Sequence, residues 1–328
     1  MGRAATVSYI VAVFNAEATL RHCLNSLINQ TYKEIEILLI NDGSTDNSAD
    51  ICEEYARKDP RIRVLHQSNK GVSYTRQRGL DEARGKYVIH ADPDDWVESD
   101  TLSQMVAYAE EHQTDILISD FWFNGPGQCD LMIQKPSGST TSSLIRDFFS
   151  HIHGSCWNKL VRLDTIRKHH IQFNPQLTYC EDLLFHLQLI SKGVSYGYIN
   201  IAHYHYFNDS TQPTLTRRYD AKMLCNDTLL YEEVKKIIPP SEHPHTLPDF
   251  AALLVSRAFL SKNLSNSTFR KHFSSYAPYV RKSKRYPASN RLLLYLSCIG
   301  YYRIAKSAAT GLLAPVYNFL ITLIRHFR

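Results

Sequence analysis

Three acidic clusters carry the residues best suited to chemistry. Asp92, Asp94 and Asp95 lie in His90-Ala91-Asp92-Pro93-Asp94-Asp95-Trp96, directly after the apolar run Tyr87-Val88-Ile89. Carboxylates this close repel one another, so such a loop either faces open water or holds a cation that neutralises it. Asn41-Asp42 follows another apolar run, Ile35 to Ile40. Glu181-Asp182 opens a helical stretch marked by Leu183, Leu184, Leu187 and Ile190. Acidic residues at a helix start also suit the positive end of its dipole, so the pair has a structural reading beside a catalytic one. One pocket for a nucleotide and a divalent cation would account for the first two clusters together.

The elements that would position them alternate. Val7 to Phe14 reads as a buried strand, and Leu20, Leu24, Leu27 and Ile28 repeat at helical spacing. After the strand Ile35 to Ile40, the turn Asn41 to Asp46 leads into a helix from about Ser48 to Arg57. Arg61 to His66 predicts a strand, Gly71 to Ala83 a helix with Arg76 and Arg78, and Lys86 to Ile89 the strand before the acidic loop. Asp100 caps a further helix, and Ile116-Leu117-Ile118 is apolar. This alternation predicts an α/β fold with a mostly parallel, doubly wound sheet, whose binding crevice lies at the carboxyl ends of the strands. Asn15, Asp42 and Asp92 all fall there. No Gly-x-Gly-x-x-Gly or Walker sequence occurs at these turns, which argues against a nicotinamide enzyme and a P-loop NTPase.

Gly125 to Ser143 is rich in Gly, Pro, Ser and Thr and reads as a surface excursion. Trp157-Asn158-Lys159 and the run His203-Tyr204-His205-Tyr206-Phe207, with Ser210 beyond, follow. From about Arg217 the pattern is helical, with segments Met223 to Ile238 and Leu247 to Leu264 separated by breaks at Pro239-Pro240 and Pro244. The last part mixes Arg and Lys with Tyr, and the run Leu312 to Ile324 is interrupted by Pro315 and Asn318, too short to span a bilayer. It would suit either the headgroup region of an anionic membrane or an ordinary helical cap.

The 328 residues allow more than one domain: residues 1–215 as an α/β domain, and 216–328 as a C-terminal helical region that could associate with a membrane. A hydrophobic share of 44% and a charged share of 21% fit a soluble globular chain. The net charge of +5 suggests an anionic partner, a phosphate or an acidic membrane surface, without requiring nucleic acid. Seven cysteines without a Cys-x-x-Cys pair read as reduced thiols, and the apolar run at Val7 carries no cleavage pattern. Both point to the cytoplasm.

These motifs, taken in order, resemble the inverting family 2 glycosyltransferases of the GT-A fold, in particular those that build bacterial surface polysaccharide and lipopolysaccharide. Val11-Ala12-Val13-Phe14-Asn15 is similar to the family's opening strand, and Asn41 to Asp46 to its second signature. Asn69 to Ser73 with Arg76 resembles the third, Asp92-Pro93-Asp94-Asp95-Trp96 the metal loop, and Glu181-Asp182 the catalytic-base motif. Together they cover roughly residues 7 to 210; the tail has no match. Ala12 and Phe14 depart from the usual Pro and Tyr, and Gln77-Arg78 from the usual residues after Arg76.

The resemblance implies a UDP-sugar site of Phe14, Asn15, Glu17, Asp42, Arg76, Asp92 and Asp95, with Asp42 accepting the uracil N–H. It implies Mn2+ or Mg2+ on Asp94, with Asp92 at the ion or its water shell, and Asp182 as general base supported by Glu181. Trp157, Lys159, His205 and Ser210 are acceptor candidates; Arg76, Lys159, Arg217 and Arg218 are diphosphate-clamp candidates; Trp157 and Tyr179 could stack on a sugar. The expected reaction moves a hexose or N-acetylhexosamine to a saccharide or lipid-linked acceptor of lipopolysaccharide, O-antigen or capsule at the inner face of the cytoplasmic membrane. A nucleotidyltransferase and a nucleotide-sugar-binding module without turnover are the alternatives. Intact Asp94 and Asp182 argue against the second.

Overall fold

The computed structural model of the chain describes residues 6–208, 219–260 and 264–312. In chain order the elements are β1 (Val7–Val13), α1 (Leu20–Ile28), β2 (Ile35–Asp42), α2 (Ser48–Lys58), β3 (Ile62–Gln67), α3 (Val72–Glu82), β4 (Tyr87–Ala91), β5 (Trp96–Val97), α4 (Thr101–His112), β6 (Ile116–Gly125), β7 (Gln128–Met132), α5 (Thr141–Phe148), β8 (Lys159–Arg162), α6 (Leu163–Lys168), α7 (Glu181–Ile190) and β9 (Tyr196–Phe207). Then come helices α8 (Ala221–Ile237), α9 (His243–Leu260), α10 (Asn266–Phe273), α11 (Ala277–Lys282), α12 (Ala288–Leu296) and α13 (Tyr302–Leu312). Two compact units result, with divisions at residues 136/137, 154/155 and 212/213, so that the segment 137–154 groups with the C-terminal helices.

In the first unit the strands form one sheet in the order β3-β2-β1-β4-β8-β6-β9-β5, with β7 added on β6. Pairing is parallel from β3 through β4, as the continuous apolar runs predict for strands covered on both faces. Beyond β4 the sheet becomes mixed. β8 is antiparallel to β4 and β6, β9 is parallel to β6 across a register shift near Asp120, and β5 is antiparallel to β9. The register sets Val13 opposite Asn41 and Val11 opposite Ala91, so the chain leaves β1, β2 and β4 along the same edge of the sheet.

Helices cover both sides of that frame. α1 buries Leu20, Cys23, Leu24 and Leu27, one apolar stripe at helical spacing. α3 lies so close to β1 that a Cβ at Gly79 would stand 2.3 Å from Ile10 Cγ2. Residues 125–143 are more ordered than their composition suggests. β6 turns through Gly125-Pro126-Gly127 into β7, pairing Phe121 with Met132 through Gly125 with Gln128, and Thr140 caps α5 by a reciprocal bond pair with Ser143. β7 is exposed along much of its length, so its residues carry little of the hydrophobic signal by which buried strands are read.

The second unit is helical. Tyr231 packs on Tyr276 at 4.2 Å and Phe269 stacks on Tyr302 at 4.6 Å, while Arg257 and Asp227 form a buried ion pair at 3.1 Å. Pro244 does not break the chain there. It sits in the first turn of α9, where a missing N–H costs little. Among the described residues no helix is long and apolar enough to cross a membrane. Ser210, Arg217, Arg218 and nearly all of the run Leu312 to Ile324 lie outside the described residues.

Candidate active site

The loops after β1 and β2 are tied together by side chains. Asn15, in a left-handed conformation at φ 48°, accepts the Thr45 N–H at 2.8 Å and donates its own N–H to Ser44 Oγ at 3.1 Å. Glu17 accepts from the backbone and side chain of Asn47, and its N–H donates to Asp46 Oδ2. Both residues thus brace the rim of the edge, while Phe14 beside them is 48% exposed. Asp42 lies deeper. Its Oδ1 accepts from Gln67 Nε2 and Lys70 N, and its Oδ2 from Gly71 N at 2.9 Å. Each carboxylate oxygen has two acceptor positions, so Oδ2 retains capacity for one more N–H donor. Gly43, at φ 70°, makes the turn that any Cβ would close, since it would stand 2.7 Å from Asn69 N.

The acidic loop after β4 has one carboxylate facing inward. Asp95 is 1% exposed, accepting from Tyr204 Oη at 2.7 Å and from Phe207 N at 2.7 Å. Burial, with Asp94 and Asp92 adding to it, holds its carboxyl well above the usual range. Asp95 therefore shapes the loop from within, a different placement from the ligand-facing one expected of it. The same Tyr204 hydroxyl accepts the Asp92 N–H at 3.0 Å, so one phenol on β9 fastens both ends of Asp92–Asp95. Cys23 Sγ donates to the Asp92 carbonyl. Asp94 is exposed at the crest of the loop.

Arg76 joins this loop to the third acidic cluster. From α3 its guanidinium donates to Asp92 Oδ1 at 2.8 Å and, through its other nitrogen, to Glu181 Oε1. The Arg76 side chain is 8% exposed and that of Glu181 6%. A planar fork reaches the two carboxylates through separate nitrogens held in fixed geometry, which the single nitrogen of a lysine does not provide. α7 begins after Cys180, which takes the left-handed conformation at φ 58° and turns the chain so that Glu181 and Asp182 lead the helix. Burial pushes Glu181 up to about 7, with Arg76 pulling against it and Asp182 adding to the rise. Asp182 is also raised, by burial first, with Arg76 again opposing. His90, on β4, is buried edge-on to Phe173, and burial with the nearby Arg76 charge holds it neutral.

The acceptor candidates are placed apart. Trp157 is buried, stacked on Tyr204 at 4.3 Å and edge-on to Phe121, so its indole face is taken up inside the core. Lys159 is fully buried on β8, donating to the Ser155 carbonyl at 2.9 Å and Asn158 Oδ1 at 2.7 Å, and burial pushes it down to about 7. His205 stacks on Trp96 at 4.9 Å and meets Glu98 at 2.9 Å. Two contributors were missed in the sequence, Tyr204 and the bridging geometry of Arg76. The alternating aromatic and histidine run signals a strand, but nothing in its spacing says that Tyr204 reaches Asp95 across 109 positions.

A frame of parallel strands with an acidic loop beyond β4 and a carboxylate pair leading α7 is the arrangement of the GT-A class of glycosyltransferases. Residues 8–167 match the family model described as Glycosyl transferase family 2. EpsH of Bacillus subtilis (strain 168) is 36% identical over 233 residues, covering 69% of this chain and 67% of EpsH. The cholesterol galactosyltransferase of Borreliella burgdorferi is 32% identical over 247 residues, 69% of this chain and 68% of the relative. Among solved structures, residues 1–349 of S. aureus TarS in complex with UDP-GlcNAc superpose with a TM-score of 0.69 at 20% identity, covering 93% of this chain and 92% of that one. The chain belongs to glycosyltransferase family 2.

Proposed function

We propose that the protein transfers a hexose or N-acetylhexosamine from a UDP-sugar, with inversion, to a saccharide or lipid-linked acceptor of a bacterial surface polysaccharide such as lipopolysaccharide, O-antigen or capsule, working in the cytoplasm. The observation that carries this reading is the Arg76 bridge, which fixes the Glu181-Asp182 pair against the acidic loop. TarS, solved with UDP and with UDP-GlcNAc, supports a uridine donor.

Asp42 would receive the uracil N–H on Oδ2, and the exposed ring of Phe14 would cover the base. The residues also fit a divalent cation. Asp94 is exposed, and Asp92 gives one oxygen to Arg76 and keeps the other. Two hard oxygen donors suit Mg2+ or Mn2+, which completes its shell with water and substrate phosphates rather than a protein cage. Among the described residues no group of three or more His, Cys, Asp or Glu forms such a cage. When bound, the ion would supply Lewis-acid stabilisation of the departing diphosphate.

Asp182 would accept the proton of the acceptor hydroxyl on a carboxylate oxygen. The hydroxyl oxygen then bonds to the anomeric carbon while the bond from that carbon to the phosphate oxygen breaks, and UDP leaves with the electron pair. Attack from the side opposite the leaving group gives a β linkage from an α-linked donor. Burial raises the proton affinity of Asp182, the direction that suits a base. Arg76, enclosed by Asp92 and Glu181, would hold the two halves in register rather than clamp the diphosphate.

The test is a UDP titration with and without Mn2+, followed by UDP release from a panel of UDP-sugars in wild type, Asp94→Ala and Asp182→Asn, with the product anomer read by NMR. Metal-dependent UDP binding lost in Asp94→Ala, and binding kept with turnover lost in Asp182→Asn, are expected. Pyrophosphate release on supplying UTP with a sugar 1-phosphate would instead indicate a nucleotidyltransferase. Tight UDP binding without turnover of any sugar would indicate a binding module, and metal-independent binding would sink the role given to the acidic loop.

A further inference from the structure

Charge is divided unevenly along the chain. Residues 250–328 hold thirteen Lys and Arg and not one Asp or Glu, whereas residues 1–249 hold twenty-four Lys and Arg against thirty-two Asp and Glu. The +5 of the whole chain therefore conceals an acidic part and a stretch in which every formal charge is positive. Solvated helix faces ordinarily mix both signs, because oppositely charged neighbours stabilise them. A segment without any acid calls for its counter-charge from outside.

In the helical unit the cations are presented on a built surface. Arg281, Lys282 and Lys284 are exposed at the end of α11 and in the turn after it. Asp249, the last acid in the chain, accepts on Oδ1 from Ser283 Oγ at 2.7 Å, Lys284 N at 2.8 Å and Arg285 N at 3.1 Å, which fixes that turn. Arg291 at the start of α12 donates to the Ser283 carbonyl and joins turn to helix. α12 buries Asn290 and Leu294 and turns the opposite stripe outward: Leu292, 56% exposed, with Tyr295 and Leu296 partly exposed, continued by Ile299. Tyr301, 52% exposed, and exposed Arg303 follow.

We propose that this surface, the cationic turn at 281–284 with the Leu292 stripe of α12, docks on an anionic phospholipid bilayer. The outward apolar and aromatic stripe of α12 beside the cationic turn distinguishes it from a site for a soluble polyanion, which needs the charge but has no use for an outward leucine. The proposal does not depend on the donor or on the catalytic assignments.

Co-sedimentation of the full chain with vesicles tests it, using phosphatidylcholine alone and phosphatidylcholine mixed with phosphatidylglycerol. Wild type is expected to bind the mixed vesicles and to be released by high salt. Arg281→Ala, Lys282→Ala and Lys284→Ala together should weaken binding about 100-fold, and Leu292→Ser about tenfold. An unchanged melting temperature and UDP affinity would show that both variants remain folded. Equal binding to neutral and mixed vesicles, or no binding to either, overturns the proposal. So does a Leu292→Ser variant that binds as wild type while a soluble polyanion such as heparin displaces the protein, which would make the surface a polyanion site.

Discussion

Replacing Arg76 by Met should damage the acidic loop and the base pair together, and by a predictable amount. Its bonds run to Asp92 and Glu181, and the side chains of Arg76 and Glu181 are 8% and 6% exposed, so solvent screens their pairing little. Removing one member of a buried pair costs about 3–5 kcal/mol when the other stays charged. Glu181 has an exit, because burial already pushes its carboxyl up to about 7 and without Arg76 it would take a proton near neutrality. The loss should therefore sit near the lower figure, about 3 kcal/mol, a fall in Tm of about 6 to 12 °C for a unit of this size. Trp96, Trp122 and Trp157 are the only tryptophans and all lie in the first unit, so a fluorescence melt reports on it directly. At about pH 8 the full loss is expected; at about pH 5, where Glu181 is protonated in the wild type too, the difference should shrink. Arg76→Lys should recover less than half. In a double-mutant cycle with Glu181→Gln the two losses should be strongly non-additive. A Tm shift below about 2 °C, or one equal at both pH values, would refute the reasoning.

Three further outcomes follow from the same geometry. Tyr204→Phe removes the hydroxyl that joins Asp92 N to Asp95, at a cost of about 1–3 kcal/mol, and should raise the donor KM more than it lowers kcat, read from melts and steady-state kinetics. Gly43→Ala must hold a Cβ at φ 70° and 2.7 Å from Asn69 N, so at least about 1–2 kcal/mol is lost, and calorimetry should show weaker UDP binding through the displaced Asp42 turn. Lys159, pushed down to about 7 by burial, loses its proton in the folded chain before the unfolded one does, so it makes stability rise as pH goes from about 7 toward its ordinary value. Melts across that window should show Lys159→Met losing ground to the wild type as pH increases; a constant difference would contradict the assignment.

The strands that deliver the site were legible because β1, β2 and β4 are buried along nearly their whole length and so appear as mostly apolar runs, interrupted only by buried polar residues such as Ser8, Glu36 and His90. The motifs at their ends were legible because Asn41 to Asp46 and Asp92 to Asp95 are contiguous. What sequence could not give is what closes over distance. Arg76 meets Glu181 across 105 positions and Asp92 across 16, a bridge that no local spacing reveals. Asp95 was placed at the sugar by the family resemblance; in the structure its carboxylate is buried, accepting from the Tyr204 hydroxyl and the Phe207 N–H. Trp157, an acceptor and sugar-stacking candidate, is buried and stacked on Tyr204 of β9. The β6–β7 hairpin escaped notice because a half-exposed edge strand carries too few apolar residues to stand out from a loop.

The contact of Gly79 with Ile10 has a consequence for how this chain can change. Gly79 lies one helical turn beyond Arg76, and only a hydrogen in place of a side chain lets α3 sit at that height above β1. In a library of all single substitutions, position 79 should tolerate nothing else, although it touches neither ligand nor carboxylate. This inconspicuous position fixes the height of α3 over β1, and with it the depth at which the guanidinium enters. A designer seeking new specificity on this scaffold would therefore leave the helix-to-strand spacing untouched and vary the loops.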